Sequence, residues 1–268
     1  MTSSPKSTPD AIRKAADLLH AAANSGLPCA PVRTLLAEGD LEGAYAVQAL
    51  NTERAVTAGH RLVGRKIGLT SLAVQKQLGV NQPDYGMLFA DMARCEAQDI
   101  ALSDVLQPKV EAEIAFVLEH NLEGEQLTMA DLFRAIAFAV PAIEIVGSRV
   151  ANWDIRITDT IADNASSGLY VLGSRPVKLT NFDPRLCGMV MEKSGEPVSV
   201  GAGAACLGSP LNATLWLAQV MSRVGHPLHA GDTILSGALG PMVGVQPGDV
   251  FDVRIEGLGS VRAAFAKE

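Results

Sequence analysis

The sequence is poor in features typical of proteins that bind nucleic acid or cross membranes. Aromatic residues make up 4% of its 268 residues, too few to indicate a base-stacking surface. Lys and Arg total 22 against 29 Asp and Glu, a net charge of −7 at pH 7, which disfavours a general attraction to nucleic acid or anionic lipid. The most apolar run, residues 133–146, is interrupted by Arg134, Pro141 and Glu144 and is too short to span a bilayer. We therefore expect neither a nucleic-acid nor a membrane partner.

Cysteine is scarce, and several familiar motifs are missing. The four cysteines are far apart and form no C-x-x-C pair, which argues against a zinc knuckle or a redox pair. The segment MTSSPKSTPDAIRKAADLL lacks the apolar core of a signal peptide. The sequence contains no G-x-S-x-G, P-loop or H-E-x-x-H pattern. These absences predict a cytoplasmic protein whose thiols stay reduced.

The N-terminal part of the chain has a helical pattern. Apolar residues make up 48% and charged residues 19% of the sequence, which predicts a folded chain with a sizeable core. Thr8 and Gly26 are typical of the start and the end of a helix, and Asp40 is a plausible cap for a second helix that runs to Gly59. We therefore predict an N-terminal helical region, residues 1–60, and a catalytic domain, residues 61–268.

Residues 61–268 combine short β-rich runs with two helices, predicted at Thr128–Ala139 and Pro210–Val224. The runs do not alternate strictly with helices, as a doubly wound parallel sheet would require. The pattern predicts an α+β fold with a mixed, rolled or barrel-like sheet and flanking helices. The predicted strands are Leu62–Leu69, Glu111–Leu118, Ala142–Val146, Leu169–Leu172, Gly188–Glu192, Thr233–Leu235, Val250–Ile255 and Val261–Phe265.

Three glutamates lie within apolar, β-rich segments. Glu111 and Glu113 in KVEAEIAFVL project from one face of a strand, because strand side chains repeat every two residues. Glu144 lies in a similar strand, PAIEIVGS. Like charges in a buried strand must be neutralised by a metal or by Lys and Arg, and three carboxylates suit Mg²⁺ or Mn²⁺. The alternative is that Glu111 and Glu113 lie on an exposed edge and Glu144 pairs with Arg149.

Two further charged residues and one polar loop stand out. Lys66 is a cation in an apolar strand, and Asp84 follows a proline. A lysine near an aspartate can tune it for proton transfer. Alternatively, Asp84 is a turn residue and Lys66 a surface cation. The loop DTIADNASSG can bind a carboxylate or form a capped turn.

Long ordered motifs from about Ala30 onward resemble the 2-keto-4-pentenoate hydratase family of the fumarylacetoacetate hydrolase-like superfamily. The resemblance implies a β-roll fold and a divalent metal, Mg²⁺ or Mn²⁺, held by the three glutamates. The motifs that carry it are GRKIGLTS, QPDYGMLFADM, QPKVEAEIAFVL, PAIEIVGSR, DTIADNASSGLYVLG, GAGAACLGSPLNATLWLA and ILSGALGP.

The implied reaction is hydration of 2-hydroxypenta-2,4-dienoate to 4-hydroxy-2-oxopentanoate in the meta-cleavage breakdown of aromatic compounds. By this resemblance we expect Asp84, tuned by Lys66, to move protons, and Ser166, Asn164 and Leu88 to bind the substrate. The alternatives are a 4-oxalocrotonate decarboxylase and a non-catalytic partner subunit. GRKIGLTS, the acid at position 84 and SGALGP favour the hydratase, because the decarboxylases resemble GLKMGLTS, an apolar residue and TGGIT at these places.

The resemblance also implies partners. We expect a small 2-oxo or 2-hydroxydienoate substrate and a homo-oligomer. We further expect association with a decarboxylase or an aldolase of the same pathway.

Overall fold

The computed structural model describes residues 5–78, 80–124 and 126–268. Its helices begin where the sequence offers caps: the Thr8 hydroxyl accepts a hydrogen bond from the N–H of Ala11, and the Asp40 carboxylate accepts one from Gly43. The helices are α1 (Pro9–Ser25), α2 (Leu41–Thr57), α3 (Leu72–Leu78), α4 (Met129–Ala135), α5 (Ile157–Ala162) and α6 (Pro210–Arg223). None of them, within the part of the chain described, is long and apolar enough to cross a membrane.

The strands form two mixed sheets. The larger sheet has the order β2-β1-β10-β5-β6-β7-β3, with β11 also paired to β5, and the smaller has the order β4-β13-β12-β8-β9. The strands are β1 (Leu62–Gly68), β2 (Asp84–Phe89), β3 (Ala93–Arg94), β4 (Asp99–Ile100), β5 (Lys109–Leu118), β6 (Ile136–Val146), β7 (Leu169–Leu172), β8 (Gly188–Lys193), β9 (Glu196–Ala202), β10 (Thr233–Leu235), β11 (Val243–Gly244), β12 (Val250–Ile255) and β13 (Gly259–Phe265). The sheets and flanking helices confirm the predicted α+β class.

The main core lies between the larger sheet, the smaller sheet and α6, and is built from buried side chains such as Phe116, Ile143 and Phe251. A second cluster joins α1 and α2 to α5, through residues such as Ala16, Val47 and Ile161. The N-terminal helices are therefore packed against a helix of the later chain. The division at residues 60 and 61 stays a prediction, and residues 1–4 lie outside the described part.

The structure corrects some predicted elements. The helix predicted at Thr128–Ala139 ends at Ala135, and the chain continues from Ile136 as β6. The reason is pairing: β6 runs antiparallel to β5 along nearly its full length, and these tertiary contacts outweigh the helical spacing. The sequence analysis also missed β2, because Pro83-Asp84 and Gly86 suggested a turn.

Candidate metal and proton-transfer site

Three carboxylates converge on one face of the larger sheet. Glu111 and Glu113 lie two residues apart on β5, and Glu144 lies directly opposite Glu111 on β6. Each offers one oxygen within 4.8 Å of the others. Glu113 and Glu144 are fully buried, while Glu111 is partly exposed at the cavity. Glu111 and Glu113 therefore do not lie on an exposed edge, as the alternative required. Arg149 forms its ion pair with Asp163 rather than with Glu144.

The carboxylate oxygens fit a divalent cation. Glu113 Oε2 accepts a hydrogen bond from the N–H of Gly237 at 2.8 Å, whereas Glu113 Oε1 and both oxygens of Glu144 are buried without a hydrogen-bond partner among the described residues. Buried acceptors are ordinarily satisfied, and hard oxygen ligands are those that Mg²⁺ and Mn²⁺ prefer. Residues Glu111, Glu113 and Glu144 could therefore hold one such ion.

The crowding of these acids changes their proton affinity. Desolvation, followed by repulsion from Glu144, raises the pKa of Glu111 to about 7. Desolvation and repulsion from Glu144 and Glu111 likewise raise the pKa of Glu113 well above its ordinary value. A divalent cation would offset the repulsion among these buried carboxylates.

Lys66 lies beside this cluster with its side chain buried. Its Nζ is 3.3 Å from Glu144 Oε1 and donates a hydrogen bond to the carbonyl of Ala165 at 2.9 Å. Burial alone would lower the pKa of this amine, but the charges of Glu144, Asp84 and Glu111 raise it above the usual lysine value. The burial of this side chain, which is 3% exposed, excludes the alternative of a surface lysine.

Asp84 faces the same cavity from β2. It is 1% exposed, and neither carboxylate oxygen has a hydrogen-bond partner among the described residues. Burial raises the pKa of Asp84, and the charge of Lys66 opposes that rise. Its neighbour across the strand pair is Gly68, where a Cβ atom would lie 2.2 Å from Asp84 Oδ1. The carboxylate therefore occupies space that only a glycine leaves open.

The polar loop forms a tight turn, Asn164–Ser166, behind Lys66. Asn164, Ala165 and Ser166 all have positive φ, between 51° and 56°, a conformation that costs a residue with a Cβ atom on the order of 1–2 kcal/mol. Arg149 donates hydrogen bonds to the carbonyls that flank the turn, at Asp163 and Ser167. The Ser166 hydroxyl lies 3.2 Å from that of Thr160.

A cavity of about 930 Å³ contains the reactive groups. Its polar lining includes Lys66, Asp84, Glu111 and Ser166, and its apolar lining includes Leu36, Val146, Ile155, Ile157 and Met242. An anionic head group can therefore lie against the lysine, and a cation held by the glutamates would attract it further, while a hydrocarbon tail meets apolar side chains. Concave sites of this composition are typical of small-molecule enzymes.

Two of the expected substrate residues lie elsewhere. Leu88 is 1% exposed and packs with Ala115, Ala142 and Leu235 in an apolar cluster. The Asn164 side chain lies against a second, smaller cavity of about 210 Å³ and bonds to the backbone of Met87. The structure thus brings together Lys66, Asp84, Ser166 and the three glutamates.

The sequence analysis missed residues that shape this site without carrying charge. Gly68 and Gly86 are needed because a Cβ atom would meet Asp84 at the first and the backbone of Asn164 at the second. Thr160 lines the cavity and faces Ser166. Nothing in the spacing of these residues marks them, since each depends on which strand lies beside it.

This chain is similar to a family of known proteins over most of its length. Residues 58–266 match the family model described as fumarylacetoacetate (FAA) hydrolase C-terminal. The "TodF product hydratase" of Pseudomonas putida F1 is 76% identical over 257 residues, covering 96% of this chain and 96% of the relative. The 2-keto-4-pentenoate hydratase of Paraburkholderia xenovorans LB400 is 56% identical over 258 residues, again covering 96% of each chain.

A solved structure has the same fold over nearly the whole chain. The 4-oxalocrotonate decarboxylase of Pseudomonas putida G7, complexed with magnesium and adipate, is similar with a TM-score of 0.92 and 36% identity. The match covers 96% of this chain and 98% of that one. Sequence identity is therefore higher to the two hydratases than to the decarboxylase.

Proposed function

Because this chain belongs to the fumarylacetoacetate hydrolase family, and within it to the 2-keto-4-pentenoate hydratases, we propose that the cavity residues described above carry out its hydratase reaction. The enzyme is a hydro-lyase that adds water to 2-hydroxypenta-2,4-dienoate, giving 4-hydroxy-2-oxopentanoate, in meta-cleavage catabolism of aromatic compounds. The observation that carries the proposal is the cluster of three glutamates beside Lys66, at a cavity lined by Lys66, Asp84 and Glu111.

We assign the metal site to Glu111, Glu113 and Glu144, and the ion to Mg²⁺ or Mn²⁺. The carboxylate oxygens Glu113 Oε1 and Glu144 Oε2, which no described residue hydrogen-bonds, support this assignment, as does the magnesium bound to the similar decarboxylase. When bound, the ion supplies Lewis acidity toward the oxygens of a 2-oxo acid.

Asp84 is our candidate for the group that moves protons. The reaction takes a proton from the 2-hydroxyl group, delivers one to C5, and then adds hydroxide at C4 and a proton at C3. Burial raises the pKa of Asp84 and the charge of Lys66 opposes that rise, and a carboxyl group positioned at the substrate can accept and release a proton in turn. Its carboxylate is free to face the substrate, since no described residue hydrogen-bonds it.

The remaining site residues orient the substrate. Lys66 presents a fixed positive charge to the acidic head group. Ser166 offers a hydroxyl in the cavity wall, which suits a carboxylate or a 2-oxo oxygen. Leu88 does not line the cavity; it packs with Ala115 and Ala142, which lie next to Glu113 on the same face of the sheet, and so supports that face.

The decisive experiment follows the loss of dienoate absorbance with and without EDTA and identifies the product. We expect 4-hydroxy-2-oxopentanoate, activity lost with EDTA and restored by Mg²⁺ or Mn²⁺. Glu113→Gln should abolish this activity, while Glu119→Gln, at an exposed position just after β5, should not. Turnover unaffected by EDTA would contradict the metal assignment. Release of CO₂ from 2-oxohex-3-enedioate without hydration would select the decarboxylase, and no turnover at all would indicate a partner subunit.

We also propose that copies of this chain associate. The strand β9 is the last strand of the smaller sheet, and its Val198 and Val200 are exposed on one face, with Leu186 also exposed. Exposed apolar side chains that lie together are typical of surfaces that a partner covers. Light scattering of the purified protein tests this, and a monomer would contradict it. Association with a decarboxylase or an aldolase and a cytoplasmic location stay predictions.

A further inference from the structure

The turn Asn164–Ser166 has a conformation that its own residues do not favour. Three successive residues with positive φ form a short left-handed segment, and only asparagine among them tolerates that region readily. Such a segment persists when its surroundings hold it in place. The contacts that hold it therefore decide where Ala165 and Ser166 point.

Arg149 binds the carbonyls that flank the turn, and the side chain of Asn164 joins the turn itself to the edge strand β2. The N–H of Met87 donates to Asn164 Oδ1 at 2.7 Å, and Asn164 Nδ2 donates to the carbonyl of Met87 at 3.0 Å. β2 is the outermost strand on this side of the larger sheet, so the amide satisfies backbone groups that a further strand would otherwise pair. A Cβ atom at Gly86 would lie 2.2 Å from the carbonyl oxygen of Asn164, so the turn lies directly on the strand.

The two residues after Asn164 carry contacts of the reactive site. The carbonyl of Ala165 accepts the hydrogen bond from Lys66 Nζ at 2.9 Å, and the Ser166 hydroxyl lies 3.2 Å from Thr160. Ala165 and Ser166 line the large cavity, whereas Asn164 lines the smaller cavity on the other side of the turn. Both polar atoms of the Asn164 amide are already used by Met87.

We infer that Asn164 is a positioning residue: by bonding both backbone groups of Met87, it holds the left-handed turn that places the Ala165 carbonyl on Lys66 and the Ser166 hydroxyl in the cavity. This inference rests on the proposed function for its effect on catalysis. Asn164 affects catalysis by fixing the positions of Lys66 and Ser166, and not by contact with the substrate.

The test compares Asn164→Ala with Asn51→Ala. Asn51 also donates from its side chain to a backbone carbonyl, that of Ala16 at 3.1 Å, but at the contact between α1 and α2. We expect Asn164→Ala to lower kcat by about 10²-fold, because a small misplacement of a reactive group costs that much. Its Mg²⁺ affinity, measured by calorimetry, should be unchanged, since the glutamates lie on β5 and β6. Asn51→Ala should keep kcat.

A crystal structure of Asn164→Ala separates positioning from direct contact. We expect Ala165 to leave the positive-φ region and its carbonyl to lose Lys66. If kcat falls while residues 164–166 and Lys66 stay in place, or if the folded variant keeps the kcat of the wild type, the inference is overturned. Should Asn164→Ala not fold, Asn164→Gly removes the same amide while allowing positive φ, with the same expectations. If the wild-type enzyme hydrates no dienoate, the proposed function fails, and the crystal structure still tests the turn.

Discussion

At the scale of single residues, the site depends on charged side chains that are almost fully buried. Asp84 has no described hydrogen-bond partner, and Lys66 contacts Glu144 and the Ala165 carbonyl. A buried carboxylate near a fixed cation has a pKa set by two opposing causes, desolvation and attraction. That balance suits a group that must take up and release protons within one reaction.

Replacement of Asp84 tests its role in proton transfer. Asp84→Asn keeps the shape but removes the ionisable group, so we expect kcat to fall by about 10²–10⁴-fold with Mg²⁺ binding retained. Steady-state kinetics and calorimetry measure the two effects. The matched control is Asp91→Asn, an exposed aspartate just after β2. An Asp84→Asn enzyme with the kcat of the wild type would exclude the proposed role.

The glutamate cluster makes metal binding depend on pH. With its pKa raised to about 7, Glu111 holds a proton in the metal-free protein that the unfolded chain has already lost, so the metal-free fold loses stability as pH rises from about 4.5 to 7. Metal requires the ionised form. We expect Mg²⁺ to bind roughly tenfold more tightly at pH 8 than at pH 6, with proton release detectable by calorimetry in buffers of different ionisation enthalpy. An affinity independent of pH would contradict this.

At the scale of elements, the pairing of β1 with β2 brings Lys66 and Asp84 together. Their close approach requires that Gly68, opposite Asp84, has no side chain, because a Cβ atom there would also lie 3.4 Å from Lys66 Nζ. The pairing of β1 with β2 therefore fixes the geometry of the site through Gly68, which has no side chain.

A methyl group at Gly68 tests this requirement. We expect Gly68→Ala to displace Asp84, to lower kcat, and to reduce the free energy of unfolding by about 1–3 kcal/mol, as overpacking does. The control is Gly244→Ala in the same sheet, where a Cβ atom would meet nothing within 4 Å. Urea unfolding and kinetics of both variants make the comparison; equal behaviour would show that the site tolerates the methyl group.

Elements of the site differed in how far the sequence predicted them. The strand that carries Glu111 and Glu113 could be predicted, because acids at alternate positions in an apolar run have one simple explanation. β2 could not, since Pro83 and Gly86 are typical of turns and the strand forms only against β1. The helix predicted to reach Ala139 ended at Ala135 for the same reason, as pairing with β5 is not visible locally. The motif resemblance identified the family, whereas the contacts of Asn164 required the structure.

At the scale of the whole molecule, the N-terminal helices are tied to the cavity wall by ion pairing. Arg33, in the segment that connects α1 to α2, bonds the fully buried Asp159 at 2.7 Å through its guanidinium and also binds Asp154. Arg33 lines the large cavity, and Asp159 lies in α5, which precedes the turn at Asn164–Ser166. This ion pair therefore connects the N-terminal part of the chain to α5 beside the large cavity.

Replacement of Arg33 tests the contribution of this ion pair to stability. Arg33→Ala leaves the carboxylate of Asp159 buried with only backbone donors, from Arg33 and Arg156, so we expect the free energy of unfolding to fall by about 2–3 kcal/mol. Thermal and urea unfolding measure the loss. Arg134→Ala, which removes an exposed pair with Asp131, should leave Tm unchanged, and an equally small effect of Arg33→Ala would contradict the proposed coupling.

The register of β5 against β6 has a consequence for how this chain can change. All three glutamates depend on the alternation of one strand pair, with Glu111 opposite Glu144. Insertion or deletion of a single residue in either strand would turn at least one of them to the opposite face of the sheet. This segment can therefore exchange one amino acid for another, but a change in its length would separate the three carboxylates.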